Sequence, residues 1–343
     1  MLFLAAALLA FSCSDPTWIH ATWIDQTDHT TSGLRGLHAV SQSVAWASGT
    51  SGTYLRTVDG GKHWTAAQVA GAETLDFRDV EAFDGQTAYL LSSGPGDQSR
   101  IYKTTNGGER WELLFTNPDP KGFLDAIAFW DRQNGILMGD PVDGRFAIFT
   151  TSDGGRQWTR QNAPAALPGE GAFAASGTCL IAFGKSQAWF GTGGPGGGRV
   201  FHTTDRGKTW TVSTTPLSGS AGSSGIYSLA FRDKLHGIAV GGDYQKPNES
   251  KNTVALTDDG GRTWRTPKHD LGGYRSAVAF LLPNSRALIA VGSSGSDFSN
   301  DGGESWHAFS STALNAVVSV NGQTWAAGPK GRLVKLAVSS GLR

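Results

Sequence analysis

The sequence predicts an all-β fold, a seven-bladed β-propeller of four-stranded blades. Three observations carry it: a short motif repeated six times, strand-like runs at fixed places around each copy, and a glycine content that leaves little room for helices. Glycine fills 47 of 343 positions and proline 13. No segment of the mature chain shows helical periodicity, and glycine this dense disfavours long helices.

The repeat reads TVDGGKHW up to Trp64, TTNGGERW up to Trp111 and TSDGGRQW up to Trp158. It continues as TTDRGKTW up to Trp210, TDDGGRTW up to Trp264 and SNDGGESW up to Trp306. The tryptophans are spaced by 47, 47, 52, 54 and 42 residues. Self-similarity at this period marks a repeat architecture. Each part of the motif has a physical task. The Asp or Asn accepts backbone N–H groups in a tight turn, and a glycine supplies positive φ. The Trp packs between neighbouring sheets. The fourth copy departs, with Arg206 at the first glycine position, so a slightly altered turn is expected there.

Alternating runs flank each turn, which places the motif at the tip of a β-hairpin. Two further runs precede it, residues 34–40 and 44–49 in the first unit. Four strands per unit of this length is the pattern of a propeller blade. After Trp306 a seventh unit begins at residues 314–320, 324–328 and 332–336, with three strands and no motif. Residues 17–25 form a strand-like run with no blade of their own. Pairing the two closes the ring and removes open edges. One domain is therefore expected over residues 17–336.

Residues 2–11 are an unbroken apolar run, the length of a signal-peptide core and too short to span a bilayer. Small residues precede Cys13, as at a lipoprotein cleavage site. Residues 1–13 are thus read as an export signal, with lipidation at Cys13 and simple cleavage nearby both open. The expected location is the periplasm or cell envelope. Lys plus Arg and Asp plus Glu number 29 each. That balance argues against a nucleic-acid binder, which carries a basic excess. Two cysteines exclude a disulfide framework and a multi-cysteine zinc site. Cys179, in an apolar stretch, reads as a small buried hydrophobe. The histidines form no metal-binding pair, and 140–144 lacks the length and third carboxylate of a calcium loop. No metal is assigned.

The six turns resemble the Asp-box, or bacterial neuraminidase repeat. That resemblance makes Asp59, Asn106, Asp153, Asp205, Asp259 and Asp301 structural residues of hairpin tips, away from a ligand face. Leu34-Arg35-Gly36-Leu37, then Val44-Ala45-Trp46-Ala47-Ser48-Gly49, the first box and the repeat arithmetic make residues 17–336 similar to the photosystem II stability/assembly factor family. The family implies a seven-bladed, non-enzymatic assembly scaffold acting on membrane proteins. Nothing in this chain indicates photosynthesis. Gly191-Thr192-Gly193-Gly194-Pro195-Gly196 matches a dinucleotide motif in letters. That motif works between a strand and a helix, and here it sits between two strands, so it reads as a loop and no cofactor is assigned.

The innermost strand of each blade lines a propeller's channel. The position of Arg35 corresponds to Arg78 in the second blade, Arg275 in the sixth and Asn315 in the seventh. Leu124, Thr178 and Ile226 align in the third, fourth and fifth, with Asp125 one step on. Connections between second and third strands carry Asp97, Asp140, Asp143, Asp243 and Asp297, and Tyr244 follows Asp243. Glu170 lies in the loop entering the fourth blade, and Arg199 opens its third strand. The candidate partner or ligand face is therefore Arg35, Arg78, Asp140, Glu170, Arg199, Asp243, Tyr244 and Arg275. Arginines there suit bidentate bonds to a carboxylate or a polar protein loop. The same residues also suit structural pairs bridging blades. The expected function is a monomeric binding scaffold for an envelope or membrane protein, with no catalytic residue. The alternative is a sialidase-type glycosidase or glycan binder, with Arg35, Arg199 and Arg275 as the triad and Tyr244 with Glu170 as the nucleophile pair. That enzyme class has six blades and an Arg-Ile-Pro motif that this chain lacks.

Overall fold

The computed structural model describes residues 19–26, 30–217, 219, 221–283 and 285–340. Residues 1–13, which the sequence reads as an export signal, lie outside them, Cys13 included. Chain order begins with β1 (Ile19–Asp25), which belongs to the last blade. The first blade is β2 (Leu34–Ala39), β3 (Ala45–Gly49), β4 (Thr53–Thr57) and β5 (Thr65–Gln68). The second is β6 (Phe77–Ala82), β7 (Ala88–Ser92), β8 (Arg100–Thr104) and β9 (Glu112–Thr116). The third is β10 (Leu124–Phe129), β11 (Gly135–Val142), β12 (Arg145–Thr151) and β13 (Thr159–Arg160). The fourth is β14 (Leu180–Phe183), β15 (Gln187–Gly191), β16 (Arg199–Thr203) and β17 (Thr211–Thr214).

The fifth blade holds β18 (Ser224–Phe231), β19 (Gly237–Asp243) and β20 (Val254–Thr257). Its fourth strand shrinks to a single bridge between Leu256 and Arg265. Pro267 follows two residues later, and proline cannot donate to a ladder. The sixth blade is β21 (Ala277–Phe280), β22 (Leu288–Gly292), β23 (Gly295–Ser299) and β24 (His307–Ser310). The seventh is β25 (Ala316–Val320), β26 (Gln323–Ala327) and β27 (Leu333–Ser340), with β1 as its outer strand. β1 pairs antiparallel with β27 from Ile19 opposite Ser340 to Asp25 opposite Val334. The expected ring closure is present, and β27 runs past the expected end at residue 336. The helical content among the described residues is one short 3₁₀ turn at Gly96–Gln98.

The hydrophobic core is a set of seven seams, one between each pair of adjacent blades. In the first seam, Trp46 and Tyr54 pack on Phe77, Val80 and Leu90. In the closing seam, Leu37 and Leu55 pack on Trp325 and Leu333. Each blade buries both faces, so second strands such as β3, β7 and β19 are buried along their whole length.

The six repeat turns share one hydrogen-bond pattern. In the first, the Thr57 hydroxyl donates to Asp59 (3.0 Å) and accepts from the Gly61 amide (2.9 Å), while Asp59 accepts from the His63 amide (3.0 Å). Asn106, Asp153, Asp205, Asp259 and Asp301 accept in the same way from the residue four positions on. The His63 amide and ring hold Asp59 at a pKa of about 2. Arg206 does not alter the fourth turn. It adopts the left-handed φ of +62° that glycine takes in the other copies, and Gly207 follows at +81°. Its guanidinium is tied to the Lys185 carbonyl (2.8 Å) and the Asn134 side chain (2.7 Å), which offsets the steric cost of that backbone conformation.

The turns also join blades. The Tyr54 hydroxyl donates to the Gly108 carbonyl (2.7 Å), Tyr89 to Gly154 (2.8 Å), and the Trp189 indole to Gly260 (2.9 Å). In each case an aromatic of one blade binds the turn of another. The deepest tryptophans are accordingly Trp46, Trp189 and Trp325 on second strands, each fully buried, rather than those of the motif.

Candidate functional site

The inner strands of four blades carry a β-bulge near their start. The ladder shifts between Leu34 and Gly36, Phe77 and Asp79, Leu124 and Ala126, and Ile226 and Ser228. The residue left over is Arg35, Arg78, Asp125 and Tyr227. A bulge leaves one residue unpaired and re-aims its side chain. All four line one cavity of about 530 Å³ at the mouth of the channel. The equivalents of Arg35 in the third and fifth blades are thus Asp125 and Tyr227. The expected Leu124 and Ile226 point into the seams instead, fully buried. A period-2 reading slips by one residue wherever a bulge intervenes.

Of the eight expected face residues, Arg35, Arg78, Asp140 and Tyr244 border this cavity. Tyr244 is 51% exposed. Arg78 pairs with Asp76 (2.8 Å) and reaches the Ala174 carbonyl (3.4 Å). Arg35 has no hydrogen bond or ion pair among the described residues, and it is half-buried. Burial and the neighbouring Arg78 charge lower its pKa, while Asp76 works against them. Asp140 accepts from the Ala172 amide (2.9 Å), and burial raises its pKa.

The other four are engaged elsewhere. Arg275 is 2% exposed, and both its Nε and Nη2 lie on Asp297 Oδ2 at 2.5 Å. Its Nη1 donates to the Tyr274 carbonyl and Ser294 (2.8 Å each). Asp297 sits within β23, facing this partner. Arg199 makes a bidentate pair with Glu170, with Nε to Oε1 at 2.8 Å and Nη2 on Oε2. Glu170 also accepts from Thr192 (2.6 Å) and the Leu167 amide (2.8 Å). Asp243 is buried and caps the Gln245 amide (2.9 Å). Asp97 pairs with Arg100 at 3.3 Å on the surface, and Asp143 with Gly144 forms the tight turn between β11 and β12, both at positive φ. Gly191 ends β15, and the rest of the glycine-rich segment lies in the connection to β16.

Sequence reading passed over the aromatic wall of the cavity. Phe173 stacks on Tyr227 at 3.9 Å, and Tyr274 meets Tyr227 edge-on at 4.8 Å. Phe173 also lines a groove of about 650 Å³ that continues outward past Asp140 and Glu170. No periodic signal marks Phe173, which lies in a loop. Tyr227 was one residue from the aligned position.

More ionisable groups lie outside the cavity lining. Asp79 accepts from the Val80 amide and from the Ile127 amide of the next blade, both at 2.8 Å. His38 lies 3.5 Å from Glu81. Cys179 is a free, fully buried thiol whose pKa burial pushes well up. Burial and the Glu81 charge push Asp79 up to about 8, against its two amide bonds and His38. The native chain therefore holds this proton where the unfolded chain, with an Asp pKa of about 3.9, releases it. The stabilisation is full below about pH 4 and is lost as pH rises through about 8. Urea unfolding at a series of pH values is expected to show stability falling between about pH 5 and 8. Asp79→Asn is expected to flatten that slope. A slope unchanged in the variant would place the titration elsewhere.

No protein-family model matches the chain. The chain is similar to the photosystem II assembly lipoprotein Ycf48 of Synechococcus sp. strain CC9902, at 25% identity over 215 residues. The match covers 62% of this chain and 56% of that relative's length, so the chain spans little more than half of the curated relative. Among solved structures, YCF48 bound to D1 peptide superposes with a TM-score of 0.64 at 17% identity, covering 92% of this chain and 96% of that one. YCF48 from Cyanidioschyzon merolae gives 0.63 at 18% identity, over 91% and 98%. Virginiamycin B lyase from Staphylococcus aureus gives 0.66 at 13%, over 93% and 99%. A lyase and assembly factors score alike, so these superpositions establish the seven-bladed fold. The resemblance to the photosystem II assembly factor-like family rests on the sequence match together with that fold.

Proposed function

We propose that this chain, similar in sequence to a photosystem II assembly lipoprotein and folded as a seven-bladed propeller, is a non-enzymatic scaffold that docks another protein of the cell envelope at the channel mouth. In this reading it is exported, acts as a monomer and is held at a membrane through Cys13 if that residue is lipidated. The six repeat turns are Asp-boxes that build the opposite face and take no part in binding.

The observation that carries the reading is Arg35. A half-buried guanidinium beside a second one, with no partner among the described residues, is costly unless something neutralises it. A carboxylate or polar loop from a partner supplies that bond, and charge-assisted bonds of this kind are the stronger ones. The groove that leads outward past Asp140 gives an extended segment room to lie. A relative solved with a D1 peptide is consistent with a protein ligand for this fold.

The geometry does not favour the glycosidase alternative. Arg199 and Arg275, two of the three arginines it needs, are held by Glu170 and Asp297. Glu170 is bonded to Arg199, Thr192 and Leu167, while the ring neighbour of Tyr244 is Tyr227 at 6.4 Å. Glu170→Ala would loosen a structural clamp, and its phenotype would not separate an enzyme from a scaffold.

Chemical crosslinking in native envelopes, followed by capture of the tagged chain, tests the proposal. Wild type is expected to recover a specific protein. The double change Arg35→Ala, Arg78→Ala is expected to lose about tenfold or more of it, with circular dichroism unchanged. Equal recovery by both chains would move the binding face elsewhere. Recovery of nothing by wild type would remove the scaffold reading.

A further inference from the structure

Two arginines and two carboxyl groups border the same cavity. Arg35 and Arg78 are close enough that the Arg78 charge lowers the Arg35 pKa. Asp125, from the third blade's bulge, and Asp140 from β11 line the cavity as well. Asp125 is 1% exposed, and its Oδ2 is buried with no hydrogen-bond partner among the described residues. Burial and the Asp140 charge raise its pKa well above that of an ordinary carboxyl, against the Arg78 charge. An orphaned buried oxygen of this kind costs free energy unless a ligand completes it. Arg78 is turned to Asp76 rather than to Asp125. The cavity thus presents an incompletely answered guanidinium and a buried carboxyl pair whose ionised form a bound cation would stabilise, with an aromatic wall of Tyr227 and Tyr274 beside them.

We infer that the mouth cavity binds a small zwitterion of amino-acid or dipeptide size, with its carboxylate on Arg35 and Arg78 and its ammonium on Asp125 and Asp140. A volume of about 530 Å³ lies within the usual size of small-molecule sites. The pairing follows from charge once the ammonium holds the buried carboxyls ionised. A simple carboxylate would leave Asp125 Oδ2 unanswered, and a simple amine would leave Arg35 unanswered. The ligand's side chain lies against the tyrosine rings. The inference uses the cavity of the scaffold reading and adds a consequence: zwitterion and protein partner compete for it.

Titration calorimetry of the purified full chain with the L-amino acids and glycylglycine tests this directly. At least one zwitterion is expected to give saturable heat. Its N-acetylated and its amidated analogues are each expected to bind about tenfold or more weakly, since each loses one charge-assisted contact. Asp125→Asn is expected to weaken the zwitterion to the level of the N-acetylated analogue. Arg35→Gln is expected to weaken it to the level of the amide. The comparison of analogues on wild type stands even where Asp125→Asn does not fold. No saturable heat with any zwitterion, or equal binding of an N-acetylated analogue, overturns the inference. Envelope capture then separates the two readings. A partner recovered from a chain that binds no zwitterion leaves the scaffold intact and removes this ligand. A zwitterion bound by a chain that captures no partner does the reverse.

Discussion

Trp189→Ala is expected to cost about 3–5 kcal/mol of unfolding free energy, the range for removing a large buried aromatic. Trp189 is fully buried in the seam between the fourth and fifth blades. Its ring stacks on Phe231 at 4.1 Å and on His202 at 4.4 Å, and its indole N–H bonds the Gly260 carbonyl. The substitution removes packing from both blades and leaves that turn carbonyl without its donor. Trp264, from the turn motif, is only partly buried beside it. Trp264→Ala is expected to cost less. Urea denaturation of the two variants checks the order. A larger loss at Trp264 would mean that the motif residue, and not the second-strand one, ties the seam together.

Arg275→Met is expected to be as severe, at about 3–5 kcal/mol, because it leaves the Asp297 carboxylate buried without its counter-charge. Both side chains are 2% exposed. The double change Arg275→Met, Asp297→Leu is expected to recover much of the loss, since apolar residues of similar size often replace a buried pair at little cost. Denaturation of the two variants reads this out. The comparison also assigns the residue its role. A structural arginine behaves in this way. An arginine kept for a partner would lower capture while leaving stability intact, and that result would return Arg275 to the binding face.

Much of the architecture was legible because it repeats. Six copies of one turn, two strand runs before each and a motif-free seventh unit determine blade number. The run at residues 17–25 has no other place to pair, and its described part, β1, lies in the last blade. What the sequence hid lies at single residues. Arg35 and Arg78 were correctly aligned, but Asp125 and Tyr227 were displaced by one position, since a bulge changes which side chain faces the cavity without changing the apolar pattern. Arg275 occupies an aligned position, yet its charge is answered by Asp297 on β23. Alignment along the chain reports where a side chain starts and not which partner it meets. Arg199 and Glu170 are expected on the face, but they line no part of the mouth cavity and bond each other in a bidentate pair. Trp46, Trp189 and Trp325 stand outside the motif, so the repeat carries no sign of their burial.

The central claim is that the channel mouth, and not the face built by the repeat turns, meets the partner. Arg35 begins an inner strand, while Val58 follows β4 at a repeat turn, so the two lie at opposite ends of the blade. Tyr244 and Val58 are exposed to a similar degree, 51% and 53%. A photo-crosslinking amino acid placed at position 244, and separately at 58, tests the claim in intact cells. The account predicts a discrete crosslinked protein from position 244 and none from position 58, with the first abolished by Arg35→Ala, Arg78→Ala. A crosslink from position 58 alone would contradict it and assign binding to the turn face.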